Sequence, residues 1–186
     1  MIVLIAFASA AKAEDLPVIG GPCEGCEFAL VGMPKHMTSS SRIVPQGKPG
    51  EAMILERVVR LADGTPASGI VVYAYQTNAL GIYPKAATRH GGFRGWVRSD
   101  VEGRYGFLTI RPGAYPSRDI PEHIHMHVVE PGKGTCYIDD ITFSDDPLQA
   151  DAHRAQLHTE RGGPGEAGRS ATTRASSWFI ATSCSA

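Results

Sequence analysis

Three histidines alternate along one short segment, and their type and spacing predict a metal site. His123, His125 and His127 recur with a period of two. If the segment is a β-strand, all three point to one face, because successive strand side chains point to opposite faces. Side chains two residues apart on one face can reach a common metal ion, and imidazole binds iron, copper, zinc and nickel.

Two tyrosines upstream narrow the choice of metal. Tyr83 and Tyr115 each precede a proline, and Tyr115 lies eight residues before His123. Phenolate oxygen is a hard ligand that favours a hard ion such as ferric iron, whereas zinc sites more often combine histidine, cysteine and carboxylate. Together with two or three histidines, the tyrosines would hold one ion and leave a position open for a substrate.

The composition of the chain limits its size class and its partners. Its 186 residues correspond to about one domain. A formal net charge of -1 and a pI near 6.6 argue against general nucleic-acid binding, which normally shows a basic excess. The 21 glycines and 13 prolines favour a turn-rich β architecture over a helical one. No segment has the length and hydropathy expected of a transmembrane helix.

The hydrophobic pattern from residue 51 onwards predicts an all-β domain. Short β-branched and aromatic segments alternate with turns that contain glycine, proline or aspartate. They predict an Ig-like or prealbumin-like β-sandwich over residues 51–186, with a loop-rich C-terminal region. A short helix is predicted at 148–158, and the predicted strands are 52–60, 70–76, 93–98, 104–110, 123–130, 135–143 and 175–182.

The first fifty residues predict a targeting segment followed by an irregular arm. Residues 1–13 form a short apolar run that ends in Ala-Lys-Ala, which predicts a signal-peptide remnant cleaved after Ala13. Export to the periplasm or the cell exterior follows from that assignment. Residues 14–50 are interrupted by glycines, prolines and serines, so we expect an irregular arm that could pack on a second subunit and form a homo-oligomer.

Four cysteines agree with an exported protein. Cys23 and Cys26 are close in sequence, whereas Cys136 and Cys184 stand apart. In an oxidising compartment they are expected to pair as structural disulfides. Four cysteines allow three pairings, and the sequence does not choose among them.

Three stretches carry the tyrosines, the histidines and their flanking residues: Tyr75–Tyr83, Arg98–Pro116 and His123–His125. In combination they resemble the intradiol ring-cleavage dioxygenases, in particular the protocatechuate 3,4-dioxygenase branch and its exported single-domain relatives. With the strands beside them they cover roughly residues 50–147. The family fold is a β-sandwich, in agreement with the hydrophobic pattern.

The resemblance implies one ferric ion, Fe(3+), bound by Tyr83, Tyr115, His123 and His125. It also implies that the protein is an enzyme, which cleaves the aromatic ring of a catechol-type substrate with dioxygen to a cis,cis-muconate-type diacid. In the family, the tyrosine that matches Tyr115 leaves the metal and takes up a proton, so Tyr115 is predicted to be catalytic as well. We expect His127 to be a core or surface residue rather than a further ligand.

Two departures from the family pattern concern the substrate. The family usually has an arginine three residues before the first histidine, where this chain has Ile120, and Arg118 is predicted to supply the catalytic positive charge instead. Asp140 stands where a glutamine is common; it is predicted to bind substrate and to alter the charge near the iron. Tyr75 and Gln76 are predicted to line the substrate pocket.

Two other classes of function remain open at this point. A catalytically silent β-sandwich could bind a ligand or a surface polymer. A copper or zinc protein could use His123, His125 and His127 without the tyrosines. For the enzyme, the expected partners are a small aromatic diol and dioxygen, with no nucleic acid and no membrane span.

Overall fold

The computed structural model describes residues 25–61 and 63–149, and three short strands beyond them. The predicted signal segment 1–13 and the predicted helix at 148–158, apart from its first two residues, lie outside the described residues. The elements in chain order are a short 3₁₀ helix Cys26–Ala29, then β1 Ser40–Arg42, β2 Ala52–Arg60, β3 Val71–Tyr75, β4 Arg94–Arg98, β5 Arg104–Ile110, β6 His123–Glu130, β7 Gly134–Phe143, β8 Gly165–Ala167, β9 Thr172–Arg174 and β10 Trp178–Phe179.

The strands form two five-stranded sheets. The first sheet has the order β1-β5-β2-β10, with β9 also paired to β2, and the second has the order β4-β3-β6-β7-β8. Buried residues of both sheets form one hydrophobic core, which includes Leu55 and Phe107 from the first sheet and Val72, Ile124 and Met126 from the second. The prediction of an all-β sandwich is confirmed.

Strand β2 shows how the sequence specifies the sandwich. Its side chains alternate between exposed and buried over most of Ala52–Arg60, with Met53, Leu55 and Val59 turned into the core. This alternation is typical of a strand with one face on the core and one face in solvent. Antiparallel pairing with β5, from Ala52 opposite Ile110 to Val58 opposite Arg104, fixes the register.

Strand β3 is buried on both faces, and the second of these faces carries the candidate site. Val72 and Ala74 belong to the core between the sheets. Tyr73 and Tyr75 point the other way and pack with Ala29 in a second cluster. Because β6 pairs with β3, its three histidines lie on this same outer face, with His125 opposite Tyr75.

The N-terminal arm is less irregular than its sequence predicts. Its described part includes the 3₁₀ helix, and β1 pairs in parallel with β5. The indole Nε1–H of Trp96 donates a hydrogen bond of 2.6 Å to the carbonyl of Ala29, which attaches the arm to the second sheet. Strand β1 lies at the edge of its sheet, and its sequence, Ser-Ser-Arg, has no apolar alternation. The hydrophobic pattern therefore gave no signal for it.

Two further properties concern the described residues only. None of their helices is long and apolar enough to cross a membrane. None of their cysteines is a free thiol, and the pairing of the four cysteines stays a prediction.

Candidate metal centre and active site

Two phenol oxygens and two imidazole nitrogens meet at the outer face of the second sheet. The Oη atoms of Tyr83 and Tyr115 are 2.6 Å apart. Tyr115 Oη is 3.3 Å from Nε2 of His125, and the Nε2 atoms of His123 and His125 are 3.1 Å apart. The four side chains that the sequence predicted as ligands therefore converge on one point.

The hydrogen bonds of both histidines at Nδ1 make Nε2 the nitrogen that can bind a cation. Nδ1 of His123 lies 2.6 Å from the carbonyl oxygen of Pro121, so it must carry the proton that it donates there. Nδ1 of His125 lies 2.9 Å from a carboxylate oxygen of Asp140 and donates to it. In its neutral form, each imidazole then presents a lone pair at Nε2. Because the two Nε2 atoms are 3.1 Å apart, one ion could lie against both, so this geometry fits a metal ion.

The two phenols also fit a highly charged ion. Burial raises the pKa of Tyr83 and of Tyr115, and their mutual hydrogen bond raises the pKa of Tyr83 further. Without a cation both phenols therefore keep their protons at neutral pH. A trivalent ion would supply the charge needed to hold them as phenolates, and hard oxygen ligands suit ferric iron better than copper or zinc.

The loops that carry the tyrosines are joined to one another by backbone hydrogen bonds. The carbonyl of Asn78 accepts from the amides of Gly81 and Gly113. Its side-chain oxygen accepts from the amides of Leu80 and Ile82, at 2.9 and 3.0 Å. Asn78 therefore fixes the turn before Tyr83 and binds it to the loop that leads to Tyr115.

Gly81 allows these two loops to approach closely. It adopts a positive φ of 74°, and a Cβ atom at this position would lie 1.8 Å from the carbonyl oxygen of Ala114. Only glycine fits both the backbone conformation and the space. The distance between Tyr83 and Tyr115 thus depends on the absence of a side chain here.

An arginine clamp closes the loop that carries Tyr115. Arg111, at the start of this loop, donates from Nε to Glu122 at 2.5 Å and from Nη1 to Asp145 at 2.9 Å. Its guanidinium also lies over the ring of Phe143, 4.5 Å from the centroid. Because Glu122 directly precedes β6 and Asp145 follows β7, the clamp ties both ends of the loop to the second sheet.

A partly buried acid and a phenol lie behind His125. Asp140 Oδ1 accepts hydrogen bonds from His125 Nδ1 and from the hydroxyl of Tyr137. Burial disfavours the charge of Asp140, but the attraction of His125 and His123 and these hydrogen bonds outweigh it and lower its pKa. Asp140 is therefore a carboxylate at neutral pH.

Comparison with known proteins agrees with this site. A family model described as dioxygenase matches residues 24–160, which is most of the chain. The chain belongs to the intradiol ring-cleavage dioxygenase family. It is 35% identical over 120 residues to the protocatechuate 3,4-dioxygenase beta chain of Burkholderia cepacia, covering 58% of this chain and 51% of that one.

Other relatives agree with the family and with the fold. The 6-chlorohydroxyquinol 1,2-dioxygenase of Cupriavidus pinatubonensis is 28% identical over 155 residues, covering 69% of this chain and 55% of that one. The chain described here thus spans about half the length of the curated relatives that it matches. The dioxygenase domain of a dioxygenase–carbohydrate-binding protein fusion from Streptomyces sp. SirexAA-E has the same fold, with a TM-score of 0.57 and 20% identity over 80% of this chain and 92% of that one.

Two of the predicted pocket residues, Tyr75 and Gln76, are buried. Tyr75 is stacked between His90, with ring centroids 3.7 Å apart, and His125, at 4.5 Å. Gln76 is fully buried; its amide donates to the carbonyl of Ile110 at 2.8 Å and accepts from the hydroxyl of Thr109 at 2.6 Å. Tyr75 thus supports a ligand, and Gln76 joins β3 to β5; the substrate-binding role of both residues stays a prediction.

The other two residues that were predicted to act on the substrate, Asp140 and Arg118, lie in different surroundings. Asp140 uses one carboxylate oxygen to hold His125, and its side chain is 22% exposed. Arg118 is exposed on the Tyr115 loop, and its backbone amide donates to the carbonyl of Tyr115 at 3.3 Å. Burial raises the pKa of Tyr115, and the positive charge of Arg118 opposes that rise. The catalytic role of Arg118 stays a prediction.

His127 lies away from the other two histidines of β6. It is fully buried, and its Nδ1 lies 3.5 Å from Sγ of Cys26. Its imidazole ring packs against the rings of Tyr73, Tyr75 and Tyr137. The arrangement of His123, His125 and His127 around one copper or zinc ion is therefore not formed. Among the His, Cys, Asp and Glu residues that the structure describes, the side chains whose potential ligand atoms lie within 4.8 Å of one another are instead His123, His125 and Asp140.

Proposed function

We propose that the protein is a non-heme Fe(III) intradiol dioxygenase. It would cleave the aromatic ring of a catechol-type substrate with dioxygen and give a cis,cis-muconate-type diacid. The observation that supports this most strongly is the convergence of Tyr83 Oη, Tyr115 Oη, His123 Nε2 and His125 Nε2 on one point. Family membership makes the same reaction class the natural expectation.

The bound ferric ion would act as a Lewis acid on the catechol and hold it in position. Side chains of the protein would take up the proton, keep the site in place and supply positive charge. Tyr115 would carry the proton chemistry, because its Oη could take up a proton from the incoming diol. Tyr83 remains in place, because Gly81 and Asn78 fix the turn before it. Arg118 supplies positive charge near Tyr115, where the substrate becomes anionic.

The setting of the enzyme is also part of the proposal. Residues 1–13 would direct export, with cleavage after Ala13, and the four cysteines would pair as disulfides in an oxidising compartment. A small aromatic diol and dioxygen would be the partners in the reaction. The N-terminal arm could pack on a second subunit.

Oxygen uptake by iron-loaded protein with a panel of catechols tests the activity. We expect dioxygen consumption in proportion to the catechol added, and a product whose mass is that of the substrate plus both oxygen atoms. A diacid product identifies intradiol cleavage, whereas a product with an aldehyde group would identify extradiol cleavage. A coloured iron protein that consumes no dioxygen with any catechol would support the silent binding module instead.

A further inference from the structure

Asp140 and Tyr137 form a two-residue support behind one of the proposed iron ligands. Asp140 Oδ1 accepts from His125 Nδ1 at 2.9 Å and from the hydroxyl of Tyr137. The hydroxyl oxygen of Tyr137 is itself 3.2 Å from His125 Nδ1. His123, by contrast, donates its Nδ1 proton to a neutral backbone carbonyl, that of Pro121. The two histidines of the centre therefore have different partners.

A β-bulge creates this difference. Ile124 pairs with Ile141 and Met126 pairs with Ile138, so His125 alone faces two residues of β7, one of which is Asp140. The extra residue turns the chain locally, and bulges next to functional sites commonly re-aim a side chain in this way. Both Tyr137 and Asp140 consequently reach the back of the His125 ring.

We propose that Asp140, held by Tyr137, is a positioning residue for His125 and gives the metal centre a negative charge that a neutral amide at this position would not supply. This inference rests on the proposed ferric site but goes beyond it. Asp140 accepts two hydrogen bonds at one oxygen and so fixes both the tautomer and the ring orientation of His125. A carboxylate that draws on the Nδ1 proton also makes Nε2 a stronger electron donor.

The chemical consequence is a less Lewis-acidic ferric ion than one held by neutral partners alone. More electron density from His125 stabilises the ferric over the ferrous state. It also raises the energy of charge transfer from tyrosinate to ferric iron, because the ion accepts an electron less readily. The position of the visible absorption band therefore reports on the charge at Asp140, independently of turnover.

Asp140→Asn and Tyr137→Phe separate this role from a purely structural one, because they act in opposite directions. Asp140→Asn keeps the side-chain shape but removes the charge; we expect the band to move to longer wavelength and the midpoint potential to rise. Iron affinity, measured by competition with a chelator, should fall about 10- to 100-fold. Tyr137→Phe leaves a carboxylate with one hydrogen bond fewer and hence more basic, so the band should move to shorter wavelength.

Asp119→Asn is the matched control, since it removes the same charge from an exposed position on the Tyr115 loop. It should leave the band and the iron affinity as in the wild type. Equal band positions in all four proteins would overturn the proposal, even if Asp140→Asn bound less iron, because lost packing alone lowers occupancy without a shift. A wild-type protein with the band but no oxygen uptake would contradict the proposed activity and leave this test valid.

Discussion

The histidine side and the tyrosine side of the centre are held in place by different means. His123 and His125 lie on a strand between two paired neighbours, β3 and β7. Tyr83 and Tyr115 lie in loops, which Asn78, Gly81 and Arg111 connect to each other and to the sheet. The strand side depends on sheet pairing that extends well beyond the site, whereas the loop side depends on a few local contacts.

This difference matches the chemistry proposed for each side. In the proposed reaction Tyr115 would take up a proton, and a loop residue can move without breaking a ladder of backbone hydrogen bonds. His125 has no such step, and it has the tighter surroundings: Asp140 on its Nδ1 and Tyr75 stacked on its ring. Changes to the loop contacts should therefore impair the tyrosine side and leave the histidine side intact.

Gly81→Ala should have the largest effect of this kind. The new Cβ atom would meet the carbonyl of Ala114 at 1.8 Å and push the two tyrosine loops apart. A displacement of about 1 Å at a reacting group can reduce turnover about 100-fold. Oxygen uptake and the intensity of the tyrosinate band should both fall.

Gly69→Ala controls for the backbone strain in that variant. Gly69 has a similar positive φ of 79°, but no atom lies within 4 Å of its Cβ position. It should cost about 1–2 kcal/mol of stability and leave turnover unchanged. If both variants lost turnover equally, the separation of the tyrosine loops would not be what Gly81 controls.

Arg111→Ala should have an intermediate effect. It removes two charged hydrogen bonds and leaves Glu122 and Asp145 without their shared cation. Because these side chains are partly exposed, we expect the free energy of unfolding to fall by about 2 kcal/mol. Turnover should fall less than in Gly81→Ala, since Asn78 still joins the loops.

The surface pair of Arg104 and Glu102, whose charged atoms are 4.0 Å apart, provides the comparison for the clamp. Arg104→Ala should change the free energy of unfolding by about 0–1 kcal/mol. Denaturant unfolding of both variants measures the difference. Equal losses would show that Arg111 is an ordinary surface ion pair.

His90 should have the smallest effect on the centre, and its effect should depend on pH. Burial, and then the positive charges of His125, Arg94 and Arg89, lower its pKa from 6.5 to about 4. Between pH 6.5 and about pH 4 the unfolded chain takes up a proton at His90 and the folded chain does not. The free energy of unfolding therefore falls as the pH falls from 6.5 to about 4, and His90 causes no further loss below about pH 4. The contribution is about 3 kcal/mol.

His90→Phe keeps a ring against Tyr75 and removes this titration. The stability of the metal-free variant should vary less with pH between 6.5 and about 4 than that of the wild-type protein. His36→Gln, which removes an exposed histidine, should keep the wild-type dependence. Urea unfolding across the pH range measures both, and parallel curves for His90→Phe and the wild type would contradict the assignment.

Much of the fold, and the convergence of the four proposed ligands, could be predicted from the sequence. The alternation of apolar residues in β2, β5 and β6 gave their bounds, and the period of two placed His123 and His125 on one face. The prediction that Tyr83 and Tyr115 lie close to these histidines came from the resemblance to a family and not from any local pattern.

The remaining features depend on contacts that spacing does not encode. The bulge that brings Asp140 to His125 arises from unequal pairing of β6 with β7, and no turn or glycine marks it in the sequence. Tyr137, Asn78 and Arg111 support the site through partners that are distant along the chain or belong to the backbone. For the same reason the hydrogen bonds of the Gln76 amide within the core were not predicted.

Resonance Raman spectroscopy of iron-loaded protein, excited within its visible band, tests the central claim most directly. A ferric ion bound by Tyr83 and Tyr115 should give tyrosinate vibrations from two ligands in the wild type, and from one in Tyr83→Phe and in Tyr115→Phe. A colourless protein that binds stoichiometric zinc, or an iron protein without tyrosinate vibrations, would contradict the proposed centre.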